Sequence, residues 1–140
     1  MQILIVDDDK NVLNYLTDIF NISFSESEVE INYANNFISA EQQIVAKKFD
    51  VITLDGFLAD QKIIPLEHAF GKSLIPIIKE HSPNAIIISI SGDDHMNSLA
   101  MEMGANIAYG KREIFSFIRK GELYIRAFLF NEDFSLRENK

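Results

Sequence analysis

Ile3-Leu4-Ile5-Val6-Asp7-Asp8-Asp9 decides how this chain is read. Four consecutive aliphatic residues, three of them β-branched, describe a strand covered on both faces, and the strand runs straight into three carboxylates. Three more short apolar runs follow: Val29 to Tyr33, Val51-Ile52-Thr53-Leu54, and Ala85 to Ile90. The first, third and fourth runs are nearly continuous, as central strands should be, while Val29 to Tyr33 alternates and fits a flanking position. A weaker fifth strand is Ile107-Ala108-Tyr109.

Helical periodicity separates these runs. Asn11 to Phe20 sets Val12, Leu13, Leu16, Ile19 and Phe20 on one stripe, and Phe37 to Lys47 repeats the pattern with Phe37, Ala40, Ile44 and Val45. Lys72 to Lys79 is a shorter helix whose Pro76 must lie in the first turn or kink it. Met96 to Met103 ends before Gly104, a fitting C-terminal cap, and a last helical stretch reaches about Asn131. Strand-helix alternation predicts an α/β fold: a doubly wound five-stranded parallel sheet in a three-layer sandwich. Right-handed crossovers bring all strand C-termini to one edge, where the functional crevice of such sheets lies.

The length of 140 residues suits one domain, taken as 1–131 with a polar tail over 132–140. Hydrophobic residues make up 47% of the chain, but no run approaches the roughly 20 residues of a membrane span. Asp7, Asp8 and Asp9 interrupt the first apolar run too early for a signal peptide, so a cytoplasmic location without membrane contact is expected. Cysteine is absent, which excludes disulfides and thiolate chemistry. A net charge of −8 argues against nucleic-acid binding and favours cations or basic protein partners.

Asp7 and Asp8 follow the first strand and Asp55 follows the third. If these strands are neighbours, the carboxylates share one small volume, and a hard divalent cation with oxygen ligands is the natural counter-charge. A single acid after a strand is more often a solvated loop residue or a helix cap, the role expected of Asp9. The run of acids together with Asp55 reverses that balance.

With these residues in view, the chain resembles the bacterial response-regulator receiver domain, the CheY-like family with a flavodoxin-like fold. Ile3 to Asp9 resembles the family's opening strand and acids, and Phe49 to Asp55 its phosphoacceptor strand. Ile86 to Ile90 with Ser91-Gly92 is similar to the fourth strand and its hydroxyl residue. Gly104-Ala105-Asn106, with Lys111 seven positions after the glycine, resembles the loop and strand that deliver a lysine. The resemblance implies that Asp55 becomes an aspartyl phosphate and that Mg²⁺ (or Mn²⁺) is held by Asp8, Asp55 and the backbone carbonyl of Phe57. Asp7 would bind the ion through water or tune the site. Ser91 and Lys111 would bind the phosphoryl group. It also implies a histidine kinase or histidine phosphotransfer protein as donor, an unknown downstream protein target, and no enzyme activity beyond autocatalytic phosphoryl acceptance and slow self-dephosphorylation. The chain is expected to be a stand-alone receiver of a two-component phosphorelay. The alternatives are a phosphorylation-independent interaction or dimerisation module and a small metal-dependent phosphatase, the latter disfavoured because its nucleophile would fall at Thr53.

Four departures accompany the resemblance. The segment from Asp60 to Phe70 is several residues longer than the family's connection. Arg112 stands where the family has proline. The switch aromatic falls at Ala108, leaving Tyr109, one place later and on the opposite strand face, as the candidate. Finally, Ile114 to Phe130 is long and very apolar, which suits core packing or a homodimer surface.

Overall fold

The computed structural model describes residues 1–24, 28–58 and 66–113. Five strands, β1 (Gln2–Val6), β2 (Glu30–Ala34), β3 (Val51–Asp55), β4 (Ile86–Ser91) and β5 (Ile107–Gly110), form one sheet in the order β2-β1-β3-β4-β5. All four pairings are parallel. The three continuous apolar runs occupy the three central places, where both faces are covered. The alternating run takes an edge.

Four α-helices connect them: α1 (Lys10–Ser23), α2 (Phe37–Ala46), α3 (Ile75–His81) and α4 (Asp94–Met103). Helix α1 packs Val12, Leu16, Ile19 and Phe20 on one face of the sheet, against Ile3, Ile5, Val51, Ile88 and Ile90. Helices α2 and α3 pack Phe37, Ala40, Ile44, Ile75 and Ile78 on the other, against Leu4, Val6, Ile52, Leu54 and Ile87; Ala100 of α4 joins that side. Each fully buried aliphatic side chain here contributes roughly 1.5–3 kcal/mol, so the strand ends are set on a stiff base.

Side chains at the helix starts explain where the boundaries differ from the periodicity. Asp9 caps α1 by accepting from the Asn11 N–H, and Asp93 caps α4 by accepting from His95 and Met96. Those caps begin the two helices at Lys10 and Asp94, earlier than the apolar stripes suggest. Pro76, lacking an N–H, lies in the first turn of α3, and residues Gly71–Leu74 before it form a 3₁₀ turn instead of α-helix. Gly104 adopts φ 116°, the left-handed conformation that ends α4. The final helix begins in 111–113; the apolar stretch to Phe130, the boundary at 131 and the tail lie outside the described residues.

The edge strand β2 is exposed at Glu30 and Tyr33. Glu30 pairs with Lys47 at 3.6 Å, and Lys47 also donates to the Asn32 side chain.

The two described ends of the longer segment after β3 pair with each other. Phe57 and Phe70 form an antiparallel bridge, flanked by hydrogen bonds from Leu58 N–H to the Ala69 carbonyl and from Gly71 N–H to the Gly56 carbonyl. Leu58 is buried and anchors this ribbon in the α2–α3 core. Gly71 lies so close to the end of β3 that a Cβ there would overlap the Asp55 backbone carbonyl oxygen, whereas a Cβ on Gly92 would meet nothing within 4 Å. Replacing Gly71 by alanine is expected to destabilise the protein by about 3 kcal/mol through overpacking against backbone. Gly92→Ala should stay within about 0.5 kcal/mol of the parent. Urea unfolding of the two variants checks the difference.

Candidate functional site

The β1–β3 register pairs Val6 with Leu54, so the next residues along, Asp7 and Asp55, meet at the C-terminal edge. Asp7 is 1% exposed and Asp55 3%, while Asp8 is exposed. Carboxylate oxygens of all three lie within 4.8 Å of one another. Lys111, delivered by the end of β5, reaches Asp55 Oδ1 at 3.1 Å and Asp7 Oδ2 at 3.7 Å. Asp7 Oδ1 accepts from the Asp9 N–H at 2.8 Å, and Asp9 itself is occupied as the α1 cap.

One ammonium does not balance this cluster. Burial first, and then the charge of Asp7, push the Asp55 carboxyl up to about 8, against the opposing pull of Lys111. Burial also raises Asp7, opposed by the Asp9 N–H and Lys111. Burial works against the charge of Lys111, but Asp55 and Asp7 outweigh it and hold the ammonium above its ordinary range. Among the described residues no donor reaches Asp55 Oδ2, although that oxygen is buried. Phe57 forms a non-hydrogen-bonded pair with Phe70, so its carbonyl takes no part in the ribbon. Three converging carboxylates, one of whose buried oxygens has no donor among the described residues, are a donor set that fits a hard divalent cation.

Around this centre, Ser91 ends β4, is 1% exposed, and accepts from the Asp93 N–H at 3.1 Å. It sits over Gly56, where a Cβ would overlap its hydroxyl, one residue from Asp55. A cleft of about 350 Å³ opens beside Lys111, lined also by Gly92, Asp94, Gly110, Arg112 and Glu113. Where proline was expected, Arg112 continues a helical turn, and Glu113 closes it by accepting from the Gly110 N–H at 3.1 Å.

Against known proteins, no family model matches this sequence and no curated protein does. Solved structures do. The signal receiver domain of a DNA-binding response regulator from Colwellia psychrerythraea 34H is 28% identical, with a TM-score of 0.64, over 80% of this chain and 86% of that one. This chain has the fold of a receiver domain. A CheY-like receiver domain protein from Methanospirillum hungatei JF-1 is 20% identical, with a TM-score of 0.63, covering 86% and 92% of the two chains. A response regulator from Burkholderia pseudomallei, whose structure holds a phosphorylated aspartic acid, a calcium ion and citrate, is 20% identical with a TM-score of 0.63, covering 90% of this chain and 71% of that one.

Within that fold, Asp7, Asp8, Asp55 and Lys111 come together, with Ser91 against Gly56, the residue after Asp55. Tyr109 does not join them. It packs against the α1-side core cluster, as Ile107 and Ile86 do, and the strand alternation turns Ala108 toward α4. Thr53 is a buried hydroxyl two residues before Asp55, so the phosphatase-like position carries no carboxylate. His95 is exposed and His68 stacks on Phe37 at 4.0 Å. Sequence reading missed Asn97, which is 7% exposed; its only signal is a polar residue one turn before the buried Ala100 of α4.

The charge imbalance gives a pH signature. Unfolded, Asp55 releases its proton near 3.8; folded, it keeps it to about 8. The folded state binds the extra proton between those values, so metal-free stability should fall as pH rises across that window. Asp55→Asn has no such proton to lose. With a chelator present, the variant should match the parent near pH 4 and exceed it at pH 9 by a few kcal/mol, at about 1.4 kcal/mol per pKa unit. Denaturant midpoints across pH provide the measurement, and parallel curves would show that Lys111 alone balances the site.

Proposed function

We propose that this chain is a phosphorylation-dependent receiver of a two-component phosphorelay, with Asp55 as the phosphoryl acceptor. The observation carrying this reading is the Asp55 carboxylate held 3.1 Å from Lys111 inside a cluster of three carboxylates. Phosphoryl transfer needs positioning and charge neutralisation more than covalent help, and this is what the surrounding residues offer. An Asp55 oxygen attacks the phosphorus of a phosphohistidine on a kinase or phosphotransfer protein. The bond to the imidazole nitrogen breaks, and the nitrogen regains its electron pair. Lys111 would face the developing charge on the phosphoryl oxygens, and the Ser91 hydroxyl would donate to one of them.

Asp8, Asp55 and the Phe57 carbonyl would hold Mg²⁺, with Asp7 binding it through water or tuning the site. When bound, the ion would neutralise the carboxylates and supply positive charge to the transferring phosphoryl group. Holding it requires an ionised Asp55, which couples acceptance to both metal and pH. Once formed, the aspartyl phosphate adds nearly two negative charges and strong acceptor oxygens, and the new charge would act on Ser91 and the contacts around it. The chain turns over no external substrate in this reading beyond its own phosphorylation and slow self-dephosphorylation. The output is protein contact, in keeping with a net charge of −8. Among the described residues no helix is long and apolar enough to cross a membrane, and a cytoplasmic location accompanies the proposal.

Incubation with Mg²⁺ and a small-molecule phosphodonor should add one phosphate by intact mass. The gain should vanish in Asp55→Asn and on chelation, and slow on the order of 100-fold in Lys111→Ala. The placement of Tyr109 on the α1 side favours one rival, a receiver fold that works as a constitutive interaction module. Absence of both phosphate uptake and Mg²⁺-dependent beryllofluoride binding would establish that rival.

A further inference from the structure

Ala108 leaves the α4 side of β5 without a large side chain, and the space between sheet and helix is bridged by a buried amide. Asn97 of α4 accepts from the Ser89 hydroxyl at 2.8 Å through Oδ1. Its Nδ2 donates to the Ser91 carbonyl at 3.3 Å and to the Tyr109 carbonyl at 3.0 Å. Ser89 is 2% exposed and Asn97 7%, so a bond lost here is not replaced by bulk water. One side chain therefore ties α4 to the C-terminal ends of both β4 and β5.

Ser91 is consequently held to α4 at two atoms. Its carbonyl accepts from Asn97, and its hydroxyl accepts from the N–H of Asp93, the α4 cap. A phosphoryl group on Asp55 would draw the Ser91 hydroxyl toward itself and away from the Asp93 N–H. The Ser91 carbonyl then either gives up its bond from the Asn97 amide or carries α4 with it. The buried amide favours the second course, because both Nδ2 bonds, to the Ser91 and Tyr109 carbonyls, are kept only if helix and strand ends move together.

We propose that Asn97 is a positioning residue that transmits the state of Ser91 to α4, taking over the coupling that a large side chain at 108 would otherwise supply. The proposal rests on phosphorylation of Asp55 and concerns the conformational response to it. Asn97 touches neither the acidic cluster nor Lys111, so its loss leaves acceptance intact and uncouples the response.

Hydrogen exchange of the α4 backbone amides, in the full chain with and without phosphorylation, tests this while intact mass reports uptake. In the parent, phosphorylation should change exchange across α4 at least fivefold. In Asn97→Ala uptake should persist and the change should fall below twofold, whatever the variant does to exchange in the unphosphorylated state. Ser89→Ala spares both carbonyl bonds and should keep most of the response. Should Asn97→Ala fail to fold, Asn97→Ser, which leaves room for water, carries the same expectation. An undiminished α4 response in the Asn97 variants overturns the proposal, as does a phosphorylated parent whose α4 exchange is unchanged. A parent that takes up no phosphate instead removes the acceptor reading, and the coupling with it.

Discussion

Parallel pairing of β1 with β3 is the constraint that creates the site. Neither strand can shift by one residue without turning its aliphatic side chains out of two packed cores. Both strands end in acids, so the register that satisfies the cores forces Asp7 against Asp55. The hydrophobic packing thus supports an arrangement that electrostatics alone would disperse. Lys111, brought in from β5, relieves part of the repulsion, and burial keeps the remainder unscreened. A site assembled this way is stiff in geometry but unsettled in charge, which makes it responsive to cations and phosphoryl groups.

The ribbon after β3 and the amide of Asn97 attach that centre to two different parts of the molecule. On one side, Gly71 touches the Asp55 backbone and leads directly into the 3₁₀ turn before α3. On the other, Ser91 is tethered to the start and middle of α4. Both attachments use close backbone approach or buried polar groups. They transmit displacement with little slack, since neither can be relaxed by rotating an exposed side chain.

Much of the sheet was legible because burial on both faces leaves a direct imprint, as in Ile3 to Val6 and Ile86 to Ile90. The acids stood out because they follow those runs immediately, and Pro76 marked a helix start through its missing N–H. The ribbon left no such trace: Phe57 and Phe70 are far apart in the chain and show no periodicity that would announce their pairing. Asn97 was hidden for a related reason, since a polar residue in a helix acquires meaning only when the carbonyls opposite it are located. Arg112 was visible as a departure, but its accommodation depends on Glu113 reaching back to Gly110, a contact no local preference encodes.

The edge of the sheet carries a separate consequence. Among the described residues β2 is paired on one side only, and an edge strand of this kind offers backbone groups to any other extended chain. Glu30 and its partner Lys47 stand beside that opening, with the Asn32 side chain bonded across to Lys47 and the Ile3 carbonyl. As a pair they add little to folding energy, but a strand approaching this edge would have to strip charge from water. Charge placed at such an edge disfavours the pairing of a further strand.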